Sequence, residues 1–420
     1  MHMKSRLVWA GLVGFFAVAM LSCTTTNNTI TTPTTGFMWI ATEGDQLVSS
    51  FTIDLTTGVA TQVGTGVATG LGPIAMAITP AGDALFIVNR DDNTVGAYTL
   101  NANGTVTAGS STSTLVVSPP GCVTGCTAAL GQTPVAIAID PAGKFLFVAA
   151  QGTQTNPAIP GTVSVFSISG TTLTPVGPAC PANYSQAVCP FVVTLPGSAL
   201  GTGPSGLAVS PAGGFLYVAD NFTSTVSIFS YDSTGMLTEN LASPVTVGTN
   251  PTGLAFSRCA GTTTATIDCP TTAPPGYLFV ANTGSWNISI FSACIQITTA
   301  CPIANGTLTQ EGSPVAAGIR PISFIIHPAR DLVYAVDNGS SQVSEYKYSS
   351  ATGGLTLLSP ATASTGGGPL QGGITSDGNW VFIPDNLGSG VSAYGVGTAG
   401  QLNPGTPIPL LAQPSALLIR

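Results

Sequence analysis

Acidic and amide side chains recur at the ends of apolar segments in this chain, and their oxygens could bind a cation or a hydroxyl-rich ligand. Trp286, in "NTGSWN", could stack on a sugar or a peptide, or cover its own part of the fold. The candidate ligand-binding residues are Arg90, Asp91, Asp92, Asp220, Asn221, Asn282, Trp286, Asp337, Asn338, Asp385 and Asn386. The alternative to ligand binding, which we favour, is that these residues stabilise turns, because Asn and Asp side chains hydrogen-bond their own backbone there. No cofactor or metal site is predicted, although such a set could hold Ca²⁺.

A catalytic base is harder to find in the sequence. His327 is the only histidine beyond the N-terminal segment, and similar segments carry turn-forming Thr79, Asp140 and Ser210 at its position. A structural hydrogen bond is therefore favoured over a role in proton transfer. His327 is the one candidate, and no catalytic residue is predicted beyond it.

A repeated unit of alternating apolar strands positions these polar residues. One copy, "GPSGLAVSPAGGFLYVADNFTSTVSIF" at residues 203–229, alternates apolar with small or polar residues as a pleated strand does. A weaker fourth strand follows each copy, for example at residues 243–248. Six full copies begin near prolines, namely Pro73, Pro134, Pro204, Pro251, Pro321 and Pro369. Four antiparallel strands per repeat predict a propeller blade.

The two ends of the chain predict a seventh blade. "GFMWIATEGDQLVSSFTID", from residue 36, matches the second and third strands of a unit, and "QPSALLIR" at residues 413–420 matches only a first strand. Joining them closes the ring and removes exposed sheet edges. The sequence predicts an all-β, seven-bladed propeller of four-stranded antiparallel blades over residues 37–420, with the last blade closed by both termini.

The repeat resembles the YVTN-type repeat and the lactonase family of seven-bladed propellers similar to 6-phosphogluconolactonase. The family's site blades resemble "RPISFIIHPARDLVYAVDNGSSQV" and "PLQGGITSDGNWVFIPDNLGSGV" here. Where the resemblance implies an Arg–His pair, this chain has Ile322 and Ser323, and Asn338 or Gly339 falls where a Glu is implied.

In the second of these blades, Leu370 and Gly372 stand at the two implied histidines, and Gly390 stands at an implied acid. Opening a lactone needs a base and a group that stabilises the developing oxyanion. These positions supply neither, so the comparison favours a binding role over hydrolysis.

The N-terminus is typical of an export signal. Lys4 and Arg6 precede an apolar stretch that ends in "MLSC", which resembles a bacterial lipobox with Cys23 as the lipidated residue. We predict a signal peptide at residues 1–22 and a lipidated, Thr-rich flexible tether at residues 23–36. An ordinary secretory signal with an incidental cysteine is the alternative.

Eight further cysteines form four near-neighbour pairs, which suggest disulfides in an oxidising compartment. Zinc binding is the alternative, but the spacing is unusual and histidine is absent nearby. The insertion with Cys259 and Cys269 is predicted between first and second strands. Two others are predicted between third and fourth strands, and one between blades. The pairs are Cys122 with Cys126, Cys180 with Cys189, Cys259 with Cys269, and Cys294 with Cys301.

Composition limits the possible partners. Nine Lys and Arg against 17 Asp and Glu leave a net charge of −8 and no basic patch, which excludes nucleic acid. We predict a monomeric lipoprotein of the bacterial envelope that binds an envelope protein or a glycan through one open face of the ring. The alternatives are a lactone or carbohydrate hydrolase with a rearranged site, and a purely structural envelope protein.

Overall fold

The computed structural model describes residues 34–113, 116–117, 129–130, 132–152, 161–177, 192–194, 203–257, 276–295, 305–388 and 390–420. The predicted signal peptide and Cys23 lie outside these ranges. No helix in the described ranges is long and apolar enough to cross a membrane.

The predicted disulfides also fall largely outside the described residues. Cys294 is inside the described ranges and directly follows the strand Asn287–Ala293. All four pairings therefore stay predictions. The cysteines outside the described ranges are Cys122, Cys126, Cys180, Cys189, Cys259, Cys269 and Cys301.

The strands form seven antiparallel sheets, each of which is one blade. From the inside outward, blade 1 has β34 (Pro414–Ile419), β1 (Thr35–Thr42), β2 (Leu47–Asp54) and β3 (Ala60–Ala68), and blade 2 has β4 (Pro73–Ile78), β5 (Ala84–Asn89), β6 (Thr94–Leu100) and β7 (Val106–Ser113). Blade 3 has β10 (Pro134–Ile139), β11 (Phe145–Ala150), β12 (Thr162–Ser169), β13 (Thr172–Pro175) and β14 (Val192–Thr194), and blade 4 has β15 (Pro204–Val209), β16 (Phe215–Asp220), β17 (Thr225–Tyr231), β18 (Leu237–Glu239) and β19 (Val245–Thr246).

Blade 5 has β20 (Pro251–Phe256), β21 (Tyr277–Asn282), β22 (Asn287–Ala293), β23 (Leu308–Gln310) and β24 (Val315–Ala316), and blade 6 has β25 (Pro321–Ile326), β26 (Leu332–Asp337), β27 (Gln342–Tyr348) and β28 (Leu355–Ser364). Blade 7 has β29 (Gly373–Ile374), β30 (Trp380–Asp385), β31 (Gly390–Val396), β32 (Leu402–Pro404) and β33 (Ile408–Pro409). A separate pair, β8 (Val116–Val117) and β9 (Ala129–Leu130), lies between blades 2 and 3 in the chain. The predicted fold class is confirmed.

The prolines that mark the repeats start the innermost strands. Pro204 lies opposite Asp220 at the end of the second strand, and the register shifts directly after Pro204. A proline is tolerated there because the β-bulge removes the need for a backbone N–H that donates to the neighbouring strand. Pro73, Pro134, Pro251 and Pro321 repeat this arrangement.

Apolar side chains pack between neighbouring blades. Phe279 of blade 5, for example, lies 6.1 Å from Phe324 and 5.9 Å from Tyr348 of blade 6 between ring centroids. Second strands also reach the next blade through hydrogen bonds, since the Tyr334 hydroxyl donates to the Gly400 carbonyl at 2.7 Å. Each blade therefore depends on its neighbour for a complete core.

Blade 1 is assembled from both ends of the chain, as predicted. β34 pairs antiparallel with β1, with Met38 opposite Ile419 and Ala41 opposite Ala416. The buried Leu417 belongs to the core shared with blade 7, and Ala416 belongs to the core shared with blade 2. The C-terminal strand therefore joins the two blades on either side of it.

Two details differ from the sequence analysis. Thr35 and Gly36, assigned to the tether, belong to β1. The insertion with Cys180 and Cys189 was predicted between third and fourth strands, and this was wrong. It lies between β13 and β14, which both pair with β12, so it interrupts the outer strand. The outermost strand tolerates this because it has no partner on its other side.

Candidate functional site

The propeller has two different faces. We call the side where innermost strands begin and second strands end the mouth face, and the opposite side, where those two strands are joined within a blade, the turn face. Pro73 opposite Asn89, and Pro321 opposite Asp337, define the mouth face. Thr35, the first residue of β1, and Ile419, the last residue of β34, lie toward the turn face.

A central cavity of about 380 Å³ lies among the innermost strands, and every blade contributes to it. Its walls are mostly aliphatic, with a few hydroxyl and amide groups. The lining residues with polar side chains are Glu43, Arg90, Ser205, Thr252, Ser323, Gln371, Asn386 and Ser415. A concave, largely apolar site with few polar groups is typical of a ligand pocket.

One ion pair supplies all the charge in this lining. Arg90 Nη2 lies 2.8 Å from Glu43 Oε1, with the side chains 32% and 38% exposed. Arg90 Nε also donates to Asp91 Oδ1 at 2.9 Å. The hydrogen bond between Arg90 and Asp91 is the main cause of both pKa shifts: it raises the pKa of Arg90 and lowers that of Asp91. The guanidinium is thus held between two carboxylates, at the cavity entrance.

The residue that follows each second strand forms what we call the mouth ring. Several of its members bridge to the next blade, where Asn338 Nδ2 donates to the Pro369 carbonyl at 2.9 Å. Asn386 Nδ2 donates to the Pro414 carbonyl at 3.0 Å, and Thr283 Oγ1 donates to the Pro321 carbonyl at 2.7 Å. The mouth ring consists of Glu43, Arg90, Gln151, Asn221, Thr283, Asn338 and Asn386. It surrounds the entrance with side chains that are mainly neutral and polar.

The last residue of each second strand, directly before the mouth-ring residue, has a buried side chain. Asp220, Asn282 and Asp337 have no exposed surface, and Asp385 is 4% exposed. Asp337 Oδ2 accepts from Ser344 Oγ at 2.6 Å, and Asp220 and Asp385 accept equally short bonds from serines seven residues later. Asn282 instead donates to Ser289 Oγ at 2.9 Å.

Burial changes the acidity of this set. It raises the pKa of Asp337 to about 6 and also raises that of Asp385, while hydrogen bonds from Ser344 and Ser392 oppose the shift. The structure thus divides the predicted ligand-binding residues. Four are buried at blade junctions, an arrangement that fits a structural role, and the others lie on the mouth face.

Trp286 lies on the mouth face with half of its side chain exposed. It has φ of 55°, a left-handed conformation that bulky residues rarely adopt. Its N–H donates to the Asn282 carbonyl at 2.9 Å, and its own carbonyl accepts from Ala317, which follows the outer strand. Half of the Trp286 surface is therefore accessible at this turn, and its role in ligand binding stays a prediction.

His327 lies on the turn face, away from the cavity entrance. It is 2% exposed, and the backbone N–H groups of Ala329 and Arg330 donate to its Nδ1 at 3.0 Å. Asp140 makes the same kind of contact with Lys144 and Phe145. This geometry is that of a turn-stabilising residue.

Three of the positions that correspond to the lactonase-family site line the cavity, and none of the three carries an ionisable group. Ile322, Ser323 and Leu370 face it. Among the described residues, no group of three or more His, Cys, Asp and Glu is placed to hold a metal ion. The mouth ring offers mainly amide and hydroxyl oxygens, with Glu43 as its carboxylate.

Sequence reasoning did not single out the pairing of Glu43 with Arg90, since these residues are 47 positions apart. Their common position, one residue beyond a second strand, is the signal that could have found them. Gln371 and Ser205 were not predicted either, because nothing in the sequence distinguishes residues that line the cavity from other polar residues of the strands.

Comparisons with known proteins agree with this architecture. Residues 28–125 match the family described as lactonase, 7-bladed beta-propeller. A candidate 6-phosphogluconolactonase from Bacteroides fragilis superposes with a TM-score of 0.68 at 17% identity, over 93% of this chain and 99% of that chain. The periplasmic gluconolactonase of Pseudomonas aeruginosa gives 0.67 at 16%, over 92% and 99%. No curated protein matches the sequence.

The fold is that of the lactonase-like seven-bladed propellers. A propeller of this type accepts many different sites, so the fold leaves the activity open. In this lactonase-like propeller, the Arg90 guanidinium at the entrance is paired with the carboxylates of Glu43 and Asp91, above cavity walls that carry no charge.

Proposed function

We propose that the protein is an exported, lipid-anchored binding protein of the bacterial envelope that acts through its mouth face. The observation that carries the proposal is the chemistry of the cavity and its entrance. Aliphatic walls and otherwise neutral mouth-ring side chains surround the Arg90 guanidinium, which is paired with the carboxylates of Glu43 and Asp91. Such a surface binds and orients a ligand but offers little for acid–base chemistry.

Export is supported by the sequence of residues 1–23 and by the similarity of the fold to a periplasmic gluconolactonase. Lipidation at Cys23 would hold the protein at the membrane, in the periplasm or at the cell surface. A hydroxyl-rich ligand such as a glycan suits the mouth ring, where amide groups can donate and accept hydrogen bonds. An envelope protein is the other ligand class that this face suits.

Hydrolysis of a sugar lactone is the second candidate, and one observation favours it. Glu43 and Arg90 place a carboxylate and a cation 2.8 Å apart at the cavity entrance. A substrate that separated the pair would face a base for water and a donor for the developing oxyanion. In the ligand-free geometry each partner neutralises the other, which is why we rank binding first.

The test combines binding with turnover on the mature, oxidised protein. Thermal unfolding is measured with glucono-δ-lactone, 6-phosphogluconolactone, neutral glycans, cell-wall fragments and Ca²⁺, because a ligand of the folded state raises the midpoint. We expect a glycan or cell-wall fragment to raise it without being consumed. Glu43→Gln should weaken that effect at least tenfold in apparent affinity, whereas the turn-face control Asp54→Asn should not.

Lactone hydrolysis that disappears in Glu43→Gln would replace the binding proposal with the hydrolase. A ligand whose effect is the same in Glu43→Gln and Asp54→Asn would place binding away from the entrance and contradict the proposal.

A further inference from the structure

The fourth residue of each third strand lies opposite an aromatic residue of the second strand, and blade 6 carries an unusual residue there. In five blades this position is aliphatic, and in blade 1 it is Ser50, opposite Trp39. In blade 6 it is Glu345, opposite Tyr334. The aliphatic residues, in blade order, are Ala97, Val165, Ile228, Ile290 and Ala393.

The side chain of Glu345 lies in the core between blades 6 and 7, which we call the seam. In the corresponding core between blades 5 and 6, Leu355, the first residue of β28, packs against the cluster that contains Ile290. Glu345 has no exposed surface, and its Oε2 accepts at 3.2 Å from the N–H of Leu402, the first residue of β32. Its Oε1 makes no hydrogen bond among the described residues. A carboxyl group thus occupies a contact that other blades make with hydrocarbon.

Blade 6 holds the β31–β32 hairpin of blade 7 with three side chains, which we call the clasp. The Tyr334 hydroxyl donates to the Gly400 carbonyl at 2.7 Å, and Arg330 Nη1 donates to the Gly397 carbonyl at 2.8 Å. Glu345 is the third member and binds the hairpin where its second strand begins. All three bind the backbone of the hairpin, so their joint loss would free its turn from blade 6.

The surroundings of Glu345 disfavour a charged carboxylate. Burial raises the pKa of Glu345 from 4.5 to about 7, and the hydrogen bond from Leu402 opposes the shift. Tyr334 and Tyr394 interact electrostatically with Glu345 from neighbouring strands, and burial raises the pKa of both, so they stay neutral from pH 4 to 8. Strands β28 and β32 carry no ionisable side chain.

Other ionisable groups around the seam differ in place or in direction. Asp337 and Asp385 lie at the mouth-face ends of β26 and β30, whereas the hairpin turn lies on the turn face. Protonation of His327 Nδ1 would break the bonds that it accepts from the backbone, so His327 would weaken the turn before β26 in acid. The ionisable side chains on these strands and turns, besides the two tyrosines and Glu345, are His327, Arg330, Asp331, Asp337, Lys347, Asp377 and Asp385.

We propose that Glu345 makes the clasp pH-sensitive, so that the hairpin is held while the carboxyl group is protonated and is released when it ionises. A carboxylate in the seam needs water, and it gains water when β28 and the start of β32, which meet at the seam, move apart. The folded clasp binds the proton more tightly than the released hairpin. The clasp is therefore tightest below about pH 4.5 and loosens as pH rises to about 7. The inference concerns the scaffold and does not depend on the ligand of the mouth face.

Hydrogen exchange of backbone amides in the mature, oxidised protein tests the inference. Mass spectrometry follows residues 396–404 from pH 5 to 8, with each rate divided by its intrinsic chemical rate. We expect protection in wild type to fall about 50-fold over this range and to level off above pH 7.5. The matched hairpin of blade 2, residues 100–106, is held by Trp39 through the Gly104 carbonyl at 2.9 Å. Its protection should change much less.

Two variants identify the titrating group. Glu345→Gln should make the protection of residues 396–404 independent of pH, because an amide oxygen can still accept from Leu402. Glu345→Ile copies Ile290 of blade 5 and should raise protection at pH 8 at least tenfold over wild type. The inference is overturned by equal pH dependence in wild type and Glu345→Gln, which would place the titration on another group. Constant protection in wild type, or an equal fall in the blade 2 hairpin, would also overturn it.

Discussion

Asp337 and Asn338 are adjacent in the chain, yet their side chains have different tasks. Asp337 is fully buried and bound to Ser344, whereas Asn338 reaches the Pro369 carbonyl of the next blade. The same division recurs at Asp385 and Asn386. The polar residues at the strand ends therefore stabilise the ring. In each pair, only the second residue is available to a ligand.

The buried carboxyl of Asp337 makes stability depend on pH. Its Oδ1 makes no hydrogen bond among the described residues, and burial raises its pKa from 3.8 to about 6. Because the folded state holds the proton to a higher pH than the unfolded chain, this group's contribution to stability is full below about pH 4 and falls as pH rises to about 6. Asp337→Asn should remove that loss and raise the unfolding free energy at pH 8 by up to about 3 kcal/mol.

Asn282 occupies the same position in blade 5, which shows that an amide fits there. Denaturant unfolding of wild type and variant from pH 4 to 8 measures the effect. The control is Asp54→Asn. The backbone N–H of Thr56 lowers the pKa of exposed Asp54, so the contribution of this group to the unfolding free energy changes with pH in the opposite direction. Equal pH slopes for wild type and Asp337→Asn would contradict the assignment.

Blade links are the elements that depend on these buried residues. Gly70, Gly248, Gly318 and Gly366 each pass so close to a strand-end Asp or Asn that an added Cβ would lie 2.5–2.7 Å from its side chain. The close passage lets a link backbone hydrogen-bond the buried group, as Gly70 does with Asn89 Oδ1 at 3.2 Å. Each link is thus shaped by a side chain of the blade that it enters.

Gly318→Ala should destabilise the protein for this reason. The new methyl group would lie 2.5 Å from Asp337 Oδ2, and displacing a buried carboxylate costs about 1–3 kcal/mol. Gly44→Ala is the matched control on the same face, because its Cβ meets only Ala412 at 3.6 Å. Denaturation midpoints measure both. A Gly318→Ala variant as stable as Gly44→Ala would show that the link moves freely.

At the scale of the whole molecule, the ring is closed by one strand. β34 supplies the innermost strand of blade 1 and contributes to the cores on both sides of it. Arg420 extends the closure, since its Nη1 and Nη2 donate to the Gly82 and Ala81 carbonyls of blade 2 at 2.8 Å. Opening the ring would expose the edge of β1 and two interblade cores at once.

Deletion of residues 414–420 should therefore abolish the cooperative unfolding transition, since loss of buried Leu417 alone would cost about 2–5 kcal/mol. Arg420→Ala serves as the comparison and should cost about 1 kcal/mol, because its two hydrogen bonds are exposed. Calorimetry of the three proteins measures the difference. A truncated chain that still unfolds within a few degrees of wild type would refute closure by β34.

The repeat, the seven blades and the closure by both termini could be predicted from the sequence alone. These features follow from local patterns, namely period-two alternation, turn residues and prolines at strand starts, and a missing first strand at one end matched the extra strand at the other. The turn role favoured for His327 rests on the same local chemistry, and its backbone contacts agree with it.

Which member of each polar pair is buried and which contacts the next blade depends on tertiary contacts, because the link from the preceding blade covers the first and the start of the next blade accepts a hydrogen bond from the second. Folding of the ring also brings Glu43 to Arg90 from separate blades. Contacts between residues far apart in the chain have no local pattern, and closing the ring is what brings them together.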